Sequence, residues 1–101
     1  MPKESTSTGI KDSVRISVPK RYTVIIHNDD FTTMEFVVEI LVQIFHKSAS
    51  EACDIMMRVH NSGRGKVGSY TYDIARTKVK KTERLARSNG YPLRLTLEPE
   101  K

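Results

Sequence analysis

The chain has 101 residues, 38% hydrophobic, 29% charged and 7% aromatic, which is one globular domain's worth and leaves no room for a cofactor domain beside a substrate domain. Its net charge is +5, unevenly spread: residues 1–21 hold five basic and two acidic groups, 22–72 four and six, and 73–101 eight and four, so an acidic middle lies between basic ends. No apolar run approaches the ~18 residues of a membrane span, no hydrophobic stretch opens the chain as a secretory signal would, and the single cysteine, Cys53, excludes an internal disulfide or a multi-cysteine zinc site, so the expectation is a cytoplasmic protein without cofactor or metal.

Met1 to Val18 is rich in Ser, Thr and Lys, shows no periodicity and runs into Pro19, so residues 1–20 read as a flexible N-terminal tail and 21–101 as a single domain. Tyr22 to His27 carries Val24, Ile25 and Ile26 in succession, a buried strand. Asn28, Asp29 and Asp30 end it, because their side chains compete for backbone hydrogen bonds and favour turns. Thr32 with Glu35 three residues on is a capping box, which predicts the start of a helix. Glu35, Glu39 and Gln43 recur every four residues through the apolar run to Phe45, and that stripe makes the run a helix.

Ser48 and Glu51 form a second capping box. Ala52, Ile55, Met56 and Val59 then give the inner stripe of a helix that stops near Gly63. Gly63 and Gly65 predict a turn, and Val67 to Thr71 a second strand. Asp73 to Ser88 is a third helix, with Ala75, Val79, Thr82 and Ala86 inward and Asn89–Gly90 as its stop. Leu93, Leu95 and Leu97 alternate with polar residues as a half-buried strand does. The order β-α-α-β-α-β gives an α+β two-layer sandwich, a three-stranded antiparallel sheet under three helices.

The densest polar cluster is His27, Asn28, Asp29 and Asp30, at a strand end where side chains can converge, with Thr32 and Met34 just beyond and His60 one turn from Met56 on the next helix. Its residues alone admit three readings. It can be a turn beside a surface histidine. It can be a metal site, although the spacing fits no zinc or calcium pattern. It can be a site for a cation, in which Asn28 and Asp29 accept hydrogen bonds from an ammonium group beside an apolar pocket. Met34 and Met56 are by position ordinary core residues, and only their link to the polar cluster makes them pocket candidates.

The segments HNDDFTTMEFVVEIL, MMRVHNSGRG, YTYDIARTKV and NGYPLRLTLE together resemble the ClpS family, bacterial adaptors that deliver N-degron substrates to the Clp unfoldase and protease. The resemblance spans residues 21–98. It implies that Asn28, Asp29 and His60 hydrogen-bond the free α-amino group of a substrate. It further implies that Ile26, Thr32, Met34, Val37, Met56, Val59 and Leu93 line or border a pocket for an N-terminal Leu, Phe, Tyr or Trp. Asp73 and Lys78 match the face that docks the N-terminal domain of the AAA+ unfoldase, and the tail matches the segment engaged during hand-off. Asp30 would serve turn structure. Thr33 stands where the family commonly has proline, and Arg76 where it often has an acidic residue.

The implied role is a non-enzymatic adaptor, and no Ser/His/Asp or Cys/His pattern points to catalysis. The rival reading is a small nucleic-acid-binding domain using the third helix, basic through Lys78, Lys80, Lys81, Arg84 and Arg87. No aromatic stacking set or nucleic-acid motif accompanies those charges, and a solvated basic face is their ordinary meaning.

Overall fold

A computed structural model describes residues 19–100. The elements are β1 (Arg21–His27), α1 (Met34–Gln43), α2 (Ala49–Ser62), β2 (Arg64–Thr71), α3 (Tyr72–Ser88) and β3 (Arg94–Pro99). The sheet is antiparallel with β1 at its centre, in the order β2-β1-β3. α1 packs along α2, α2 lies on β2, and α3 crosses all three strands, which makes the two-layer α+β sandwich. The tail expected over residues 1–20 lies outside the described residues apart from its last two. No helix among the described residues is long and apolar enough to cross a membrane.

The core follows from the apolar stripes. Val24 and Ile26 from β1, Ile40 and Leu41 from α1, Ala52 and Val59 from α2, Ala75 and Ala86 from α3, and Leu93 and Leu95 at β3 form one buried cluster. Thr82, on the inner face of α3, is also fully buried, and its hydroxyl donates to Lys78 O at 2.7 Å, so no polar atom is stranded there.

β2 departs from the expected outline for two reasons of packing. The strand starts at Arg64, three residues early, and Gly65 lies within it rather than in a turn. A Cβ on Gly65 would stand 2.8 Å from Val59 Cγ2, so α2 can press onto this strand only where a side chain is missing. The register with β1 also shifts between Val24 and Ile25, which leaves Val67 bulged. Simple alternation would send Val67 and Tyr70, three residues apart, to opposite faces. The extra residue lets both pack toward the core.

Candidate functional site

The site is assembled at the end of β1. α2 ends at Gly63 in a left-handed conformation with φ +88, which reverses the chain, and the Gly63 carbonyl accepts from Asn28 N at 2.9 Å. That bond ties the start of the polar turn to the helix end carrying His60, so residues 32 positions apart become neighbours.

Asp29 organises the turn. Its Oδ1 accepts from Phe31 N at 2.8 Å and Thr32 N at 2.7 Å, and its Oδ2 accepts from Thr32 Oγ1 at 2.7 Å. The turn-holding role expected of Asp30 therefore belongs to Asp29, while Asp30 is exposed. Partial burial raises the Asp29 pKa, but the bonds from Thr32 and Phe31 and the charge of Arg87 outweigh it, leaving the carboxyl below its ordinary 3.8. Because the folded pKa is depressed, this stabilisation is present at neutral pH and is lost only as pH falls through that lowered value.

Thr32 is thereby engaged with Asp29 and does not cap α1. The N-cap is Thr33, whose Oγ1 accepts from Phe36 N at 3.1 Å, one residue later than the expected Thr32/Glu35 box. A proline at position 33 could not make that bond. The Ser48/Glu51 box at α2 forms as expected.

Between this turn, α1 and α2 lies a cavity of about 480 Å³. Its lining brings the polar Asn28, Asp29, Thr32 and His60 together with the apolar Met34, Val37, Met56 and Val59. Ile26 and Leu93, expected to line or border the pocket, are not in its lining; both are buried in the core cluster that also contains Val37 and Val59. Arg87 pins the segment before β3 by donating to Tyr91 O at 3.0 Å and Leu93 O at 2.8 Å. The lining also includes Asp30, Phe31, Thr33 and Glu35, which sequence reasoning did not select as ligand contacts. Phe31 is 73% exposed, and a large aromatic left in water between two turn residues is the signal that could have marked it.

His27, first of the polar cluster, is not in the cavity lining. Its Nε2 lies 2.7 Å from Thr96 Oγ1 on β3, and burial together with Arg94 and Arg64 lowers its pKa below 6.5 against a smaller opposing effect of Glu98. Among the described residues no three His, Cys, Asp or Glu side chains converge as metal ligands.

The second expected surface is on α3. Asp73 is exposed in its first turn and shares a recess of about 290 Å³ with Ile74, Thr77 and Lys78. The Lys78 ammonium turns inward, donating to Ile44 O at 2.8 Å and lying 5.9 and 5.7 Å from the ring centres of Phe45 and Tyr70. Ile44 is the C-cap of α1, where a cation satisfies an unpaired carbonyl and complements the helix dipole. Lys78 is thus a clamp between α3 and α1, a role its sequence position did not reveal.

Fold and cavity together define a small α+β binding protein whose pocket lining joins hydrogen-bond acceptors with apolar side chains. Residues 17–96 match the family model described as ATP-dependent Clp protease adaptor protein ClpS. An ATP-dependent Clp protease adapter protein ClpS from Acetivibrio thermocellus is 50% identical over 97 residues, covering 96% of this chain and 98% of its own. One of the same name from Wolinella succinogenes is 48% identical over 91 residues, covering 90% and 89%. The solved structure of Agrobacterium tumefaciens ClpS2 bound to L-phenylalaninamide matches with a TM-score of 0.79 at 40% identity, over 82% of this chain and 100% of that one. The chain belongs to the ClpS family and is a Clp protease adaptor, not an enzyme. Nothing in these comparisons supports the nucleic-acid alternative.

Proposed function

We propose that this adaptor works in the cytoplasm, capturing proteins by an N-terminal Leu, Phe, Tyr or Trp and handing them to the N-terminal domain of a Clp AAA+ unfoldase for degradation. The observation that carries this reading is one cavity whose lining joins hydrogen-bond acceptors with apolar side chains. A free α-amine is cationic below its pKa of about 8 and offers three N–H donors, whereas an internal peptide nitrogen is neutral and offers one. Asn28, Asp29 and His60 suit the amine. Val37, Val59 and the flexible thioethers of Met34 and Met56 suit both flat and branched apolar side chains. The phenylalanine amide bound by the ClpS2 relative has this same pairing of amine and apolar group. For the unfoldase, we assign Asp73 with its exposed neighbour Ile74 as the contact, with Lys78 holding that end of α3 in place.

Titrating a fluorescent Phe-initiated peptide, beside the same peptide begun with Gly, tests the reading. The Phe peptide is expected to bind and the Gly peptide to fail. The amine loses its proton as pH rises through about 8 while Asp29 stays ionised, so affinity should fall over that range. Equal binding of the two peptides would refute the proposal.

Met34 opens α1, is 41% exposed and stands at the cavity rim. A substrate side chain branched at Cβ carries its bulk close to its backbone and meets Met34 there, whereas Leu and Phe place theirs further in. Met34→Ala should therefore strengthen Val- and Ile-initiated peptides by about 1–2 kcal/mol and weaken Leu and Phe peptides slightly. Titrations of all four peptides, with a thermal melt, check this. A uniform loss would assign Met34 to packing alone.

A further inference from the structure

A second recess, about 430 Å³, opens beside the first and is lined by Met34, Glu35, Val38 and Met56. Met34, Glu35 and Met56 line both cavities, so the two methionines form the partition between them. Val38 belongs to the second alone; it is half-buried and leans on the core one turn beyond Met34 on the same face of α1. Three of its four lining side chains are apolar, and the exposed Glu35 supplies the only charge. The first substrate side chain, seated against Val37 and Val59, leaves this recess unfilled.

The geometry points to a second apolar subsite on this protein, which takes the side chain of the third residue of the bound N-terminal segment. The inference rests on the N-terminal reading above. In an extended segment successive side chains alternate between faces, so the first and third point the same way, about 6.5–7 Å apart. The two recesses share Met34 and Met56 as lining, so the next side chain on the same face of an extended segment is the one placed to reach the second. The second residue points away from the surface and gains nothing. An aliphatic third residue would bury its side chain on Val38, Met34 and Met56, and Glu35 at the rim would repel an acidic one.

The test is a walk of leucine through the fluorescent peptide Phe-Ala-Ala-Ala. Placing Leu at the third position should tighten binding by about three- to tenfold, as partial burial of one aliphatic side chain allows, and placing it at the second or fourth should change little. Val38→Ser should flatten the third-position gain while leaving Phe-Ala-Ala-Ala binding unchanged, and Val38→Ala should give a smaller loss of the same gain. Equal affinities across the walk, or a gain at the second position instead, would overturn the subsite. So would a third-position gain that survives in Val38→Ser. The wild-type walk decides the question even if a Val38 variant proves unstable. Failure of every Phe peptide to bind would instead overturn the N-terminal reading, and the subsite with it.

Discussion

N-acetylating a Phe-initiated peptide is expected to weaken its binding by about 30- to 1000-fold, a loss on the order of 2–4 kcal/mol. The acetyl group removes the positive charge and leaves one N–H donor where there were three. It also brings a carbonyl and a methyl against the turn that Asp29 holds closed. Asn28, Asp29 and His60 would then face a group that cannot satisfy them, and unsatisfied acceptors removed from water account for most of the loss. The apolar lining of the cavity is untouched by the change, so the residual affinity of the acetylated peptide measures what Met34, Val37, Met56 and Val59 supply alone. Calorimetry or fluorescence anisotropy with the two peptides checks the result. Equal affinities would sink amine recognition.

The second large effect is expected at Asp29, where two variants separate two roles. Asp29→Ala removes the acceptor for Phe31 N, Thr32 N and Thr32 Oγ1 together with the negative charge. It should cost about 2–3 kcal/mol in affinity for the free-amine peptide and about 1–2 kcal/mol in stability, since three donors lose their partner. Asp29→Asn keeps a carbonyl oxygen that can accept from the two backbone N–H groups but carries no charge. Its stability should stay within about 0.5 kcal/mol of wild type while affinity still falls about tenfold. Denaturant melts and peptide titrations on both variants distinguish the roles. Wild-type affinity in Asp29→Asn would show that the charge is not read, and a wild-type melt in Asp29→Ala would show that the turn does not depend on it. On sequence alone Asp29 is a turn residue of little consequence for the fold, and the three bonds it accepts are what change that expectation.

The elements themselves were legible in the sequence because each is set by contacts a few residues apart. A spacing of four for Glu35, Glu39 and Gln43 marked α1, the Ser48/Glu51 box marked the start of α2, and the alternation through Leu93, Leu95 and Leu97 marked β3. The polar turn and the two methionines were legible as candidates, although it was the resemblance to a family that joined them to His60. Only tertiary structure could decide the rest, because each remaining feature depends on an atom supplied by a distant element. Thr33 caps α1 because Asp29 has already engaged Thr32. Gly65 lies in a strand because Val59 presses on it from α2, and Val67 is bulged so that it and Tyr70 share one face. Lys78 is drawn inward by the carbonyl at the end of α1. Asn28 and His60 meet because Gly63 turns left-handed and offers its carbonyl to a strand end 35 residues earlier. Short-range periodicity and capping thus determined which segments are helix and strand, while the cavity exists only where long-range hydrogen bonds bring their ends together.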